Sequence, residues 1–353
     1  MTAHYKKFCI LFILIAVPFI AGNYLLWKSV TEKLLTAVSD GGDLARMGYI
    51  LDSKYFRKNR TDLPRVHREI DDNTGFRHAD VITIGDSFSN FGGGGRNRFY
   101  QDYIASINDL EVENITPFAE LNFLTVVAIL DNNGYLDRVR PRSVIVSSSE
   151  KLCMERFVLP ADLERNMPLD QLLQYKRIYY GKGQQNVKFI NTGNLNYLKY
   201  KLLYCFSPNA FFSNTYQLKL DRDFFSVKNS NVLLFYKNDV KSIKHDTDEN
   251  LRKLNDNMNR LADKLARKGI RLYFMPCVDK YDLYSDYLVN NKYPQSVFFE
   301  KLRPLPKRYE LIDTKEVLQK LLQKGEKDVF YPDDSHWSWK ASEAIFSRYR
   351  FDR

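Results

Sequence analysis

Closely spaced cysteines are missing from this chain. Cys9, Cys153, Cys205 and Cys277 stand far apart and make no C-x-x-C pair, which argues against a structural zinc site. Three of them lie outside the apolar N-terminus, so at most one disulfide can form among those three. Dense Lys/Arg blocks of the nucleic-acid-binding kind are also missing, although the net charge is +10. Scattered positive charge suits a membrane surface or an anionic glycan better, and no nucleic acid is expected as a partner. Four glycines run from Gly92 to Gly95, but no G-K-[ST] follows, and Arg96-Asn97-Arg98 is a poor substitute in a phosphate-binding loop. The chain holds no internal repeat and no low-complexity tract. Histidine is scarce, with five in 353 residues, so a histidine placed beside carboxylates stands out.

What is present is enough for one large domain or two modest ones, with 44% hydrophobic residues and 14% aromatics. Such rings line carbohydrate sites and also simply fill cores. From Cys9 to Trp27 the sequence carries no charge, close to the roughly 20 residues that cross a bilayer. Lys6 and Lys7 precede the run, and Trp27 and Lys28 sit where an interfacial belt belongs. The rival is a cleaved signal peptide ending near Ala21-Gly22. Because the apolar run continues through Leu25, Leu26 and Trp27, an uncleaved anchor is the preferred reading. The expected organisation is a cytoplasmic tail at 1–7, a single transmembrane helix at 8–28, a stalk and lead-in at 29–77, and a catalytic domain at 78–353. That domain would sit on a bacterial inner membrane and face the periplasm or exterior.

The alternation of patterns predicts an α/β fold. Val81–Ile84 reads as a buried strand, Arg98–Ile107 as a helix, Glu111–Ile115 as a strand, Ala119–Leu130 as a helix and Ser143–Val146 as a strand. Residues 155–245 break this rhythm and read as an insertion, either a substrate-covering lid or structural padding. The rhythm returns with Leu251, Leu254, Met258, Leu261 and Leu265 on one helical stripe. A strand at Arg271–Met275, a short strand at Tyr309–Ile312 and helices at Thr314–Gln323 and Ser338–Tyr349 follow. Strands alternating with helices give a parallel sheet covered on both faces, a flavodoxin-like three-layer arrangement.

Two segments carry chemistry. Val81–Ile84 runs into Gly85-Asp86-Ser87, which puts a serine at a strand tip, where open parallel sheets bind ligands. Near the other end, Asp333-Asp334-Ser335-His336-Trp337 precedes the last helix. A serine is a weak nucleophile until a histidine takes its proton and a carboxylate orients that histidine. Ser87, His336 and Asp334 can form such a triad, with Asp333 as the alternative carboxylate. The bland alternatives are that Ser87 caps a helix and that the aspartates answer a helix dipole. Acyl transfer also needs oxyanion donors, and the Ser87 N–H is one candidate.

These residues resemble the SGNH (GDSL-like) hydrolase superfamily, in which Gly85-Asp86-Ser87 matches the nucleophile block and Asp334/His336 the C-terminal block. More narrowly, the chain looks like the SGNH proteins that O-acetylate cell-surface polysaccharides, such as the alginate acetylation proteins. Gly85-Asp86-Ser87-Phe88 matches their Gly-x-Ser-Phe and Asp334-Ser335-His336-Trp337 their Asp-x-His-Trp. Pro276, Lys280 and Tyr284 approximate their Pro-Lys-Tyr segment, and Glu150-Lys151 their Glu-basic pair. The resemblance implies that Asp86, Trp337, Lys280, Tyr284 and Glu150 support the triad. It spans roughly residues 78–153 and 246–350. Two features depart from the pattern. The serine precedes the Asp-x-His here, the reverse of the alginate proteins, and the superfamily's glycine and Gly-x-Asn-Asp blocks are not recognisable near 114–122 or 147–151.

The resemblance implies an O-acyltransferase, acetyl above all, acting through an acyl-serine on an extracytoplasmic polysaccharide. It implies no cofactor and no metal. Because acetyl-CoA is not expected outside the cytoplasm, it also implies a multispanning membrane acyltransferase as acyl donor. The alternatives are a carbohydrate esterase using the same triad, or a non-catalytic glycan-binding assembly protein on an SGNH scaffold.

Overall fold

A computed structural model of the chain describes residues 2–28, 42–44, 62–70, 76–90, 92–93, 97–115, 121–175 and 188–351. The N-terminal helix α1 (Thr2–Leu26) is exposed along most of its length and meets the rest of the chain at its last turn, and its most apolar stretch has a mean hydropathy of 2.3. It is long and apolar enough to cross a membrane.

A six-stranded parallel sheet organises the remainder. Its strands are β1 (Arg68–Glu69), β2 (Val81–Ile84), β3 (Val112–Ile115), β4 (Ser143–Ser149), β7 (Arg271–Cys277) and β8 (Glu310–Leu311), in the order β1-β3-β2-β4-β7-β8. Every pairing is parallel. β2, β3 and β4 are buried along their whole length, as expected of strands covered on both faces. Outside this sheet, β5 (Thr215–Lys219) and β6 (Val232–Tyr236) form an antiparallel hairpin.

The helices that matter below are α2 (Ser87–Asn90), α3 (Tyr100–Asn108), α4 (Phe123–Asn132), α5 (Glu150–Phe157), α7 (Asp248–Ala266), α8 (Thr314–Gln323) and α9 (Trp339–Arg348) around the sheet, α6 (Thr192–Leu203) away from it in a small core of its own, and the short turn Lys280–Tyr284. In α7 the stripe Leu251, Leu254, Met258, Leu261 and Leu265 is buried, and the Thr247 hydroxyl caps the first turn by accepting from the Asn250 N–H.

β2 and β4 lie side by side, yet the chain leaves β2 toward β3 and leaves β4 toward β7. Divergent connections open a crevice at the carboxyl ends of those two strands. Ser87 follows β2 directly into that crevice.

Two expectations are revised. The described parts of 29–77 are not a bare stalk: β1 pairs with β3, so the sheet begins ten residues before His78, and Gly42–Leu44 bonds to the 333–335 loop. No local period marks either segment, because each is held by partners distant in sequence. The insertion at 155–245 is partly core, since Phe224, Phe225, Leu233 and Phe235 join the main hydrophobic cluster. Residues 176–187 lie outside the described residues, as do Gly94 and Gly95. All four cysteines are free, with Cys153 and Cys277 buried and Cys9 and Cys205 exposed.

Candidate active site

The turn after β2 is built by close contact. A Cβ on Gly85 would lie 1.9 Å from Ser147 Oγ and 2.3 Å from Ser89 Oγ, so only glycine lets the chain leave the strand there. Asp86 then fastens the turn. Its Oδ1 accepts from the Phe88 N–H at 3.2 Å, its Oδ2 from the Ser149 N–H at 2.8 Å and from Arg156 Nη1 at 2.5 Å. Burial alone would raise the Asp86 carboxyl, but Arg156 and these N–H donors outweigh it and hold it below the usual range. The carbonyl of Asp86 accepts from the Ser89 and Asn90 N–H groups. Asn90 Nδ2 donates to the Gly85 and Asp86 carbonyls, and Asn90 Oδ1 accepts from Asn114 Nδ2.

The histidine loop is fixed from three directions. An antiparallel bridge between Phe330 and Trp337 closes its neck. The Lys280 ammonium, fully buried, donates to the carbonyls of Tyr331, Pro332 and Asp334 at 2.7, 3.0 and 3.0 Å. Burial lowers Lys280 to about 8 despite the nearby carboxylates. From the third side, Gly42 N donates to Asp333 Oδ2 and Leu44 N to the Asp333 carbonyl, while Asp43 holds Ser335.

These two constructions meet. His336 Nε2 lies 2.8 Å from Ser87 Oγ, and His336 Nδ1 lies 2.7 Å from Asp334 Oδ1. Asp334 Oδ1 also accepts from the His336 N–H, which locks the ring's backbone to the same oxygen. Asp333, the alternative carboxylate, instead bonds Gly42. The imidazole is buried against the Phe88 ring at 4.7 Å, and Phe88 in turn packs on Trp337 at 4.6 Å. Burial alone would lower the His336 pKa, but Asp334, Asp43 and Asp86 outweigh it and raise it.

Among the predicted supporting residues, Asp86 and Trp337 touch this assembly directly, Trp337 through Phe88 and through its Nε1–H to Ser342 Oγ. Lys280 meets the assembly through the loop backbone, to which all three of its bonds go. Glu150 acts one step further out, accepting from the Asp279 N–H and Ser296 Oγ, next to Lys280. Its neighbour Lys151 pairs with Asp239 and Asp279. Burial, then Asp282 and Asp279, push Glu150 well above the ordinary carboxylate range. Tyr284 is a core ring packed among Phe224, Phe225 and Phe330, without a bond to the triad.

Two residues escaped the sequence reading. Asp43 sits half-buried with its Oδ2 3.9 Å from His336 Nδ1, and burial followed by the Asp334 charge pushes it up to about 6. Arg156 reaches both Asp86 and Ser148 Oγ. Neither has a local motif. Asp43, Asp334 and His336 place their ligand-type atoms within 4.8 Å of one another, the kind of group that can hold a cation. As folded, those atoms are spent on one another and on Ser335 and Ser87, so a cation would have to break the Ser87–His336–Asp334 chain of bonds.

Fold and geometry together give an α/β domain with a mainly parallel sheet, in which Ser87, His336 and Asp334 are in bonding contact. Residues 233–347 match the family described as the ALGX SGNH hydrolase-like domain of acetyltransferase AlgX. The matched stretch takes in Lys280, Tyr284, Asp334, His336 and Trp337 and leaves out Ser87. A comparison with curated proteins gives no match.

Proposed function

We propose that the protein is an O-acyltransferase, acetyl in the first instance, that esterifies hydroxyls of an extracytoplasmic polysaccharide. The observation that carries this reading is the unbroken chain Ser87 Oγ–His336–Asp334, with bonds of 2.8 and 2.7 Å. The family match at the histidine loop supports the acetyl-transfer side of it.

In this reading His336 Nε2 takes the Ser87 proton as Oγ attacks the acyl carbonyl, and Asp334 keeps the imidazole in the tautomer that leaves Nε2 free. Three of the first N–H groups of α2 (Phe88, Ser89 and Asn90) are used within the turn, which leaves the Ser87 N–H to face the developing oxyanion. The imidazolium then protonates the departing donor group, and an acyl-serine remains. A sugar hydroxyl, deprotonated by His336, attacks that ester, and Ser87 recovers its proton as it leaves. Helix α1 anchors the domain in the inner membrane, facing the periplasm, where a multispanning acyltransferase supplies the acyl group.

An esterase differs only in taking water as acceptor, and the order of serine before histidine is the one ordinary SGNH enzymes use. The deciding assay gives the full chain an activated acetyl ester, with and without an oligosaccharide acceptor. Transfer to sugar that rises with acceptor, and drops at least about a thousandfold in Ser87→Ala, is expected. Hydrolysis indifferent to acceptor overturns the transferase reading, and turnover unchanged in Ser87→Ala overturns both.

A further inference from the structure

The start of α6 is bolted to the last turn of α1. Asn194 Nδ2 donates to Asn23 Oδ1 at 2.9 Å, and Asn23 Nδ2 donates to the Phe189 carbonyl at 3.1 Å. The Phe189 ring stands 6.4 Å from Tyr24 and 5.8 Å from Trp27. Those two aromatics occupy the end of the apolar helix, the level at which Trp and Tyr mark a bilayer's interface.

From that point the chain turns one face inward and one outward. Inward, Tyr200 packs with Leu44, Ala210 and Leu234 in a small core of its own. Outward, Ile190, Leu198, Leu202, Phe206, Phe211 and Phe212 are 56% to 79% exposed. Leu198 and Leu202 are four residues apart and therefore share one side of α6. An outward face with this many large apolar groups is costly in water. Lys199 and Lys201 are exposed beside it, and the Lys199 ammonium lies 4.5 Å from the Phe212 ring centroid. Cations on flexible stems above apolar groups suit anionic headgroups over acyl chains.

We propose that α6 and the following loop to Phe212 form a membrane-surface seat, with these apolar side chains immersed at the headgroup–acyl boundary and Lys199 and Lys201 among anionic lipid headgroups. The proposal rests on α1 spanning the membrane. Continuity with the interfacial end of α1 favours lipid over a protein partner. The seat also bears on the active site: Leu44, whose N–H bonds the Asp333 carbonyl, is buried in the small core under α6, so the histidine loop is tied to the surface that meets the membrane.

The native cysteines supply the test. Cys9 lies in α1 and Cys205 in the seat, both exposed, while Cys153 and Cys277 are buried. The full chain is reconstituted in vesicles of phosphatidylcholine and phosphatidylglycerol. A polarity-sensitive fluorophore is attached to Cys205 in Cys9→Ser and to Cys9 in Cys205→Ser, and lipids spin-labelled at shallow or deep positions serve as quenchers. Expected is loss of at least about half the emission at both sites, with Cys205 quenched best by the shallow label, as for an interfacial helix. Adding Leu202→Glu and Phe206→Glu should relieve the quenching at Cys205 and leave that at Cys9. If Cys9 is quenched and Cys205 is not, the seat is overturned while the anchor stands, and the apolar face belongs to a protein partner. If neither is quenched, the anchor falls and the seat with it.

Discussion

Asp43 grips Ser335 with both carboxylate oxygens, Oδ1 accepting from the Ser335 N–H at 2.8 Å and Oδ2 from its hydroxyl at 2.5 Å. The two residues are 292 positions apart, yet the grip lies one residue from His336. It makes the segment following the apolar helix α1 a structural part of the histidine loop. It also sets a second carboxylate behind the imidazole, with Oδ2 3.9 Å from Nδ1.

The first prediction follows from that charge. A general base must be neutral to accept a proton, and the raised pKa of His336 keeps it protonated to higher pH than an ordinary histidine. Asp334, Asp43 and Asp86 all contribute to the rise. Asp43→Asn keeps the shape and removes one charge, so the acid limb of the kcat/KM profile should move to lower pH. Because Asp43 titrates at about 6, the difference should be largest above that pH, where the wild-type carboxylate is ionised. An unchanged acid limb would show that Asp43 does not act on the imidazole.

The Asp86–Arg156 pair should govern acid stability. The folded pKa of Asp86 is depressed, so its contribution is present above the unfolded value of about 3.9 and is lost as pH falls through the folded value. Arg156→Met leaves a carboxylate with 5% exposure without its charge partner, which should cost about 3 kcal/mol near neutrality. Without the guanidinium the Asp86 pKa rises, so the variant should begin losing stability at higher pH than the wild type. Urea melts over a pH series measure both effects, and parallel curves would contradict the assignment.

Lys280 should be a loop-positioning residue. Lys280→Met removes three hydrogen bonds from an ammonium to the loop backbone, and bonds to charged groups are worth about 1.5–3 kcal/mol each. Hydrogen exchange should rise in residues 331–336, and kcat should fall with little change in KM. A change in KM alone would instead indicate that the lysine meets substrate.

The sheet, and the meeting of Ser87, His336 and Asp334, were legible because each is written locally. Val81-Ile82-Thr83-Ile84 ending in Gly-Asp-Ser announces a buried strand with a residue at its tip, and the α7 stripe repeats at helical spacing. Asp334 and His336 are two apart, so one short motif contains their bond. Asp43 was not legible, since its partners are a loop 291 to 292 residues later and its own neighbours carry no period. Its neighbour Gly42 has a reason invisible in sequence: a Cβ there would lie 1.9 Å from the Asp333 carbonyl oxygen. Tyr284 shows the opposite case. Its spacing from Lys280 fitted a motif, while its surroundings of Phe224, Phe225 and Phe330 make it a packing residue.

The two adjacent aspartates before His336 can be separated by experiment. Asp334 Oδ1 accepts from both the imidazole and the His336 backbone, so Asp334→Asn should present an amide to Nδ1 and favour the wrong tautomer. In a serine–histidine–aspartate mechanism that exchange lowers kcat by on the order of 10⁴ while the fold stays intact. Asp333→Asn leaves an amide oxygen that can still accept from the Gly42 N–H, so its loss should be no more than about tenfold. Steady-state turnover of an acetyl ester by the two variants, with matching thermal melts, decides the matter. Equal losses would mean that the loop as a whole, and not the Asp334 carboxylate, is what orients His336.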